Sequence, residues 1–363
     1  MWRKRISVLA VIAAMAVVGA APSAWAGGQG DPLYGDLNGD GVGDRAVLTS
    51  HDLVNTCGVE VSLGNGTGGY GPATAYAYAV PGVPDGNCPD MGVVVDLGGN
   101  GTVELVVTWF THPVGPSPDL LVLRDYSTVD GFEAIADASF IGLDDFNGDG
   151  RQDVYVWTDQ GDGFMTFLNT ASGRLVRGPV EFTCGGYPDF VLADLNGNGA
   201  TDLVLAYHLC PSQYENGVVV VLDDGTEIQL HGTPDYFWAV AVLDANGDGR
   251  PDVRTTNYDT GEVTHFIGNG RGGFGAAPLA DDDTASTKGN KKVDIPVLAN
   301  DLYTSASKIV IVTPPKYGKL QITSRRTILY TPNGLHTQSD KFVYRLLTDG
   351  KDDIAGVTVR VKS

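Results

Sequence analysis

The chain runs to 363 residues with a formal net charge of −20, set by 44 Asp and Glu against 24 Lys and Arg. The charge is divided: beyond Ala280 thirteen basic residues outnumber nine acids, whereas between Gly27 and Ala280 eight arginines and no lysine face 35 carboxylates. A body of that sign excludes nucleic-acid and anionic-lipid binding by counterion release, and its self-repulsion calls for bound cations.

At the N-terminus Arg3, Lys4 and Arg5 precede an apolar run from Ile6 to Ala21, and Ala24-Trp25-Ala26 offers a small-x-small cleavage site. That order reads as a secretory signal peptide over residues 1–26, with the mature chain starting at Gly27. A retained anchor is the competing reading, and the Gly/Pro-rich sequence that follows disfavours it. No later segment is apolar for long enough to cross a bilayer, so the expected product is secreted to the extracellular space with no membrane insertion after cleavage.

From Tyr34 onward one segment recurs. Tyr34-Gly35-Asp36-Leu37-Asn38-Gly39-Asp40-Gly41 returns with variations led by Asp96, Asp145, Asp194 and Asp244, at spacings of 60, 49, 49 and 50. Between these loops the text is β-structure. Apolar runs enter the loops (Met91–Asp96, Pro188–Asp194, Phe237–Asp244) and others leave them (Arg45–Thr49, Leu105–Trp109, Val154–Trp157, Leu203–Tyr207). A third set follows (Val59–Leu63, Leu120–Leu123, Met165–Leu168, Val218–Leu222), then a more polar fourth strand. The runs are short, rich in β-branched residues and punctuated by Gly, Pro, Asn and Asp, without helical periodicity. Four strands per repeat of this length is the footprint of a propeller blade, where a linear β-solenoid uses shorter repeats. The expected fold is all-β: a propeller over 27–280 of five four-stranded blades, the apolar first strands innermost and buried. The longer first interval is absorbed in Gly/Pro-rich loops such as Val80–Asp90.

These loops resemble those of the FG-GAP/VCBS repeat family, the integrin-α-like calcium-binding propellers. The companion motif stands as Phe266-Ile267-Gly268-Asn269-Gly270-Arg271-Gly272-Gly273-Phe274-Gly275, and again from Leu63-Gly64-Asn65-Gly66 to Tyr70-Gly71-Pro72. The resemblance covers residues 32–279 and implies a calcium-stabilised propeller.

The residues themselves point to the same cofactor. Ca²⁺ takes about six to eight oxygen ligands on a pliable backbone, and Mg²⁺ demands a more compact octahedron. Side-chain oxygens at the first, third and fifth loop positions, a turn-forming Gly at the sixth, a carbonyl at the seventh and a carboxylate at the ninth meet the calcium demand. The first loop offers Asp36, Asn38, Asp40, the Val42 carbonyl and Asp44; the third Asp145, Asn147, Asp149, the Arg151 carbonyl and Asp153; the fifth Asp244, Asn246, Asp248, the Arg250 carbonyl and Asp252. The fourth (Asp194, Asn196, Asn198, the Ala200 carbonyl, Asp202) has one carboxylate fewer and is expected to bind more weakly. The second (Asp96, Gly98, Asn100, Glu104) lacks a third-position side chain, and an Asx turn without metal competes with a weak site there.

Four cysteines in an exported chain read as two disulfides. If the calcium loops join strands one and two at one end of the blades, Cys57, Cys88, Cys184 and Cys210 all lie at the other, and the expected pairs are Cys57–Cys88 and Cys184–Cys210. The same end is expected to carry His51, His112, His208 and Trp157, with the ligand-face aromatics Trp109, Tyr187, Tyr214 and Tyr236.

Composition changes at Asp281, where residues 281–290 read as a polar linker to a module over 291–363. Val293–Asp301, Pro314–Gly318, Tyr330–Asn333, Asp340–Tyr344 and Val357–Val361 resemble bacterial Ig-like, cadherin-like modules of extracellular adhesins, which implies a β-sandwich acting as spacer or adhesive. Asp281–Asp283 with Asp301 form either a solvated acidic patch or an interdomain calcium site. No His-Glu-x-x-His, Gly-x-Ser-x-Gly or phosphate-binding loop is present, and regularly repeated carboxylates do not make one differentiated catalytic site. The expected function is a non-enzymatic secreted binding or adhesion protein recognising an extracellular glycan or protein; the alternative is a glycan lyase or hydrolase built on the same scaffold.

Overall fold

The computed structural model describes residues 31–50, 56–80, 88–110, 120–131, 138–158, 163–183, 189–207, 216–233, 237–289, 291–334 and 339–362. The 1–26 leader lies outside them. All regular structure among the described residues is β, in 27 strands.

Five antiparallel sheets of four strands follow one another in chain order. The first is β1 (Leu33–Gly35), β2 (Asp44–Ser50), β3 (Thr56–Ser62) and β4 (Thr74–Ala79). The second is β5 (Met91–Val95), β6 (Glu104–Thr108), β7 (Leu120–Arg124) and β8 (Thr128–Gly131), and the third β9 (Ala138–Asp144), β10 (Asp153–Thr158), β11 (Gly163–Asn169) and β12 (Leu175–Arg177). The fourth is β13 (Asp189–Ala193), β14 (Asp202–Tyr207), β15 (Asn216–Val221) and β16 (Glu227–Thr233), and the fifth β17 (Trp238–Leu243), β18 (Asp252–Asn257), β19 (Val263–Gly268) and β20 (Phe274–Ala277). These are propeller blades, and their strands fall where the alternation of apolar runs and turn residues predicts.

Stacking explains why the middle strands read as unbroken apolar runs. Successive side chains point to opposite faces of a sheet. In the second blade Leu105, Val107, Leu121 and Leu123 therefore pack on Leu33, Ala46, Val59 and Val61 of the first. Val106, Leu120 and Val122 pack the other way, on Ile141, Val156 and Phe167 of the third. Phe146, Trp157 and Phe164 join the third blade to Leu203, Leu205 and Val219 of the fourth, and Val204, Val218 and Val220 join that to Trp238 and Val253 of the fifth. First strands touch between the first and second, second and third, and fourth and fifth blades, placing them innermost. They are not all the most buried, however. β13 is half-buried throughout, whereas β14 and β15 are buried at every residue, because an edge strand has a paired neighbour on only one side.

The C-terminal module is a sandwich of two sheets. One has the order β21 (Asp283–Lys288), β27 (Lys351–Lys362), β26 (Ser339–Thr348), β23 (Lys308–Thr313), and the other β22 (Val293–Ile295), β25 (Ile328–Pro332), β24 (Gly318–Ile322). The expected linker is thus corrected. Asp283–Lys288 is an edge strand paired in parallel with β27, with Ala285 and Thr287 facing inward and Thr284 and Ser286 outward. The module also covers the end of the blade stack. Leu302 packs with Ala245, Ile267 and Ala277, Leu279 bridges to Leu302, and the Ser305 amide donates to the Ala245 carbonyl.

Candidate metal centres

Each Asp-led loop joins the first strand of its blade to the second. The first position closes the loop: Asp36 Oδ1 accepts the Gly39 and Asp40 amides at 2.8 and 3.1 Å, and Oδ2 accepts the Gly41 amide at 2.7 Å. These bonds, the Gly41 amide foremost, hold the Asp36 carboxyl below its ordinary range. The contacts from the fifth- and sixth-position amides recur at Asp96, Asp145, Asp194 and Asp244. The sixth-position glycine takes a positive φ every time, 80–87° at Gly41, Gly101, Gly150, Gly199 and Gly249, which only glycine adopts without strain. Asn38 and Asp40 each accept the amide two residues on, at 2.9 and 2.8 Å, as do Asn147 with Asp149 and Asn246 with Asp248. In the third loop Arg151, at the seventh position, folds its guanidinium onto Asp149; in the fifth, Arg250 lies 3.7 Å from Asp248.

The ninth position does something the sequence did not disclose. Asp44, Asp153, Asp202 and Asp252 are wholly buried. One oxygen of each accepts the amide of the second loop residue (Leu37, Phe146, Leu195, Ala245) at 2.8–2.9 Å. The other accepts an amide at the end of the third strand (Gly64, Asn169, Asp223, Gly268) at 2.7–2.8 Å. This carboxylate staples the loop to the neighbouring hairpin, and the approach is close: a Cβ on Gly64 would stand 2.3 Å from the Gly43 carbonyl oxygen.

The donor set suits a hard cation. Burial pushes the Asp153 carboxyl up to about 7, against the Asn169 and Phe146 amides, and the like charges of Asp145 and Asp149 raise it further. Asp202 is pushed up to about 6 by burial, with Asp223 and Asp194 adding to it, and Asp252 moves the same way with Asp248 and Asp244 beside it. A divalent ion offsets that repulsion, and a carboxylate accepting two amides keeps about two of its four lone-pair sites free. Among the described residues no three His, Cys, Asp or Glu side chains stand ready-made around one point, so an ion would have to draw the loop oxygens inward from the amides they now accept.

The loops differ in fit. In the fourth, Asn196 and Asn198 both donate their side-chain amides to Asp223 Oδ1, at 2.8 and 2.9 Å. Asp223 thus lays a third carboxylate against a loop read as deficient; its signal was its place just after the third strand, where the first and fifth blades have Gly64 and Gly268. The second loop does not fit. Gly98 has no donor, and a Cβ there would stand 3.0 Å from the Gly173 nitrogen.

At the opposite end the Cys57–Cys88 disulfide is formed, with Cα atoms 5.5 Å apart, and ties the first blade to the second. Cys184, Cys210, Tyr187, Tyr214, Tyr236 and the three histidines His51, His112 and His208 lie outside the described residues. Trp109 and Trp157 are corrected: neither is on an exposed face, Trp109 being packed in the core between the first two blades and Trp157 between the third and fourth, because their sides of the sheet face a neighbouring blade. Exposed aromatics occur elsewhere. Tyr34 and Tyr70 are 58 % and 43 % exposed, with ring centres 6.5 Å apart, and the Arg45 guanidinium lies 5.4 Å over Tyr70. Tyr70 borders an open groove of about 380 Å³ that Gly41, Val42, Gly64 and Asn65 also line.

Comparison with family models matches residues 145–205 and 194–255 to the FG-GAP-like repeat and residues 276–362 to the bacterial Ig domain. The chain carries FG-GAP-like repeats followed by a bacterial Ig domain. Each FG-GAP match opens on one Asp-led loop and runs through the next, so the loops described above are the family's own punctuation; the first two blades repeat the same build. No curated protein matches the chain. Among solved structures it is similar to an endo-fucoidan hydrolase of glycoside hydrolase family 107 (13 % identity, 70 % of this chain and 38 % of that one, TM-score 0.19). It is also similar to a SusE-like surface-located polysaccharide-binding protein from the Bacteroides thetaiotaomicron heparin utilisation locus (9 % identity, 74 % and 51 %, TM-score 0.19). The chain spans about half or less of these proteins, and TM-scores of 0.19 are too low for a shared overall fold. Among the described residues no helix is long and apolar enough to cross a membrane.

Proposed function

We propose that this FG-GAP and Ig-domain chain is an exported, non-enzymatic binding protein that takes a glycan or protein ligand and whose blades are held together by calcium. The observation that carries the reading is one loop build repeated at the seams between blades. The Thr201 amide of the fourth blade donates to the Asp145 carbonyl of the third at 2.8 Å, and Gly148 lies against Gly199 and Ala200. An ion at such a loop braces two blades at once. Extracellular calcium modules bind at about 10⁻⁴–10⁻³ M, so at millimolar calcium and a 0.1 mM constant each site adds about 1.4 kcal/mol. The first, third and fifth loops together add about 4 kcal/mol, comparable with a domain's net stability.

For the ligand, the exposed pair Tyr34 and Tyr70 with Arg45 supplies an amphipathic aromatic surface. The test is a thermal melt of the mature chain in millimolar calcium and in EDTA, followed by a glycan array with calcium present. Chelation is expected to lower Tm by about 8–16 °C, and an array signal is expected to weaken in Tyr34→Ala/Tyr70→Ala. An unmoved Tm removes the calcium reading. An array signal that the double variant leaves intact removes the Tyr34–Tyr70 surface.

A further inference from the structure

The five blades act as an internal alignment, and the second departs from the rest at three linked places. The residue just past the inner end of the third-strand ladder is Leu63, Leu168, Leu222 or Ile267 in four blades and Arg124 in the second. The ninth loop position is Asp in four blades and Glu104 here. The third position is Asn in four blades and Gly98 here.

The structure shows why these changes go together. Glu104 keeps one half of the staple, its Oε2 accepting the Leu97 amide at 3.0 Å. Its other oxygen, which in the sister blades accepts a backbone amide, accepts Arg124 Nη1 at 3.0 Å. The same guanidinium donates through Nη2 to the Gly173 carbonyl of the third blade at 2.9 Å and lies 3.4 Å from Asp130. The turn carrying Gly173 presses on Gly98, whose amide donates to Asn169 Oδ1 at 2.8 Å, while Asn169 Nδ2 donates back to the Asp96 carbonyl. The volume into which a third-position donor would reach is therefore filled by the next blade.

We infer that Arg124 takes the place of a metal ion in the second loop, neutralising Glu104 with a covalently attached cation and locking the second blade to the third through the Gly173 carbonyl. A guanidinium suits this work because its planar fork donates to a carboxylate and a carbonyl at once and stays charged at every physiological pH. The seam between these two blades then needs no calcium, unlike those beside the first and third loops. The contrast rests on the calcium reading of those loops, so the lock and the calcium reading are tested separately.

The experiment uses the full mature chain in two arms. In EDTA, Arg124→Leu, the residue three of the four sister blades use, is expected to lower Tm by about 5 °C or more, because it strands the buried Glu104 carboxylate. Adding Glu104→Gln, which removes the charge to be balanced, is expected to restore at least half of that loss; a purely steric role for Arg124 predicts no such rescue. After equilibrium dialysis against calcium, Asp96→Asn is expected to hold as much bound calcium as wild type, while Asp145→Asn holds one ion fewer. An Arg124→Leu chain as stable as wild type in EDTA, absence of rescue, or loss of an ion in Asp96→Asn would overturn the inference. If wild type binds no calcium, the calcium reading fails on its own, and the melting arm still decides the lock.

Discussion

Asp44 occupies a position where a metal ligand and a structural staple call for the same side chain, and Asp44→Asn separates the two. The wild-type carboxylate is wholly buried and accepts two amides, from Leu37 at 2.9 Å and from Gly64 at 2.7 Å. Asparagine has nearly the same shape but one acceptor oxygen, so it turns an NH₂ toward one of two N–H groups, the buried one of Leu37 or the part-buried one of Gly64. Losing a hydrogen bond to a charged acceptor and stranding a buried amide costs about 2–3 kcal/mol. Asp36→Asn in the exposed part of the same loop strands nothing buried, so it should cost less than Asp44→Asn in EDTA and more in millimolar calcium than in EDTA, as its site is lost. The assay is the urea midpoint of both variants and wild type by tryptophan fluorescence, with and without EDTA. Asp44→Asn should be the more damaging without calcium, and Asp36→Asn the one whose damage depends on calcium. If Asp44→Asn matched wild type in EDTA and fell only in calcium, the staple would carry no weight and the ninth position would be a ligand alone.

Two further outcomes follow from the blade seams. Replacing Cys57 and Cys88 with serine opens a crosslink spanning 31 residues, which on the loop-entropy model costs about 3–4 kcal/mol; reducing agent should mimic it, and a double variant melting with wild type would contradict it. His231 stacks on Trp238 at 3.9 Å and meets Thr255 Oγ1 at 2.9 Å. Burial, helped by Lys351 and opposed by Glu262, pushes it down from 6.5 to about 4. The folded chain thus holds a neutral imidazole that the unfolded chain would protonate below pH 6.5. Its contribution is complete above that value and is lost as pH falls toward 4. The fall in urea midpoint between pH 7.5 and 5 should be smaller in His231→Gln than in wild type, and wild type and variant declining in parallel would refute it.

The blades were legible because two independent signals coincide: an Asp-led turn at nearly constant spacing and apolar runs too continuous for a sheet with one wet face. Val106 and Val107 point to opposite sides of one strand and both are buried, which requires a blade on each side. Where one residue type answers to two demands, sequence could not choose. Aspartate at the ninth position reads as a calcium ligand and is also the shortest side chain able to accept two amides at once. Thr284–Asn290 reads as a linker because the hydrophobic signal of that sheet lies in the partner strand, at Val357, Val359 and Val361, and an edge strand can stay polar while its neighbour anchors it. Trp109 follows a strand end, where an aromatic reads as a platform, and only the packing of the first blade reveals it as core. Arg124 is the sharpest case. Alone it is one of eight arginines in an acidic body; beside Leu63, Leu168, Leu222 and Ile267 it is a charge where four sister blades place a hydrocarbon. The guanidinium is half-buried, and the buried charge it balances, Glu104, is the single glutamate among four aspartates at the ninth position. The extra methylene and the guanidinium are one change. A repeat that gives up its third-position donor to the neighbouring blade must find its counter-charge elsewhere, and here it comes from the adjacent strand.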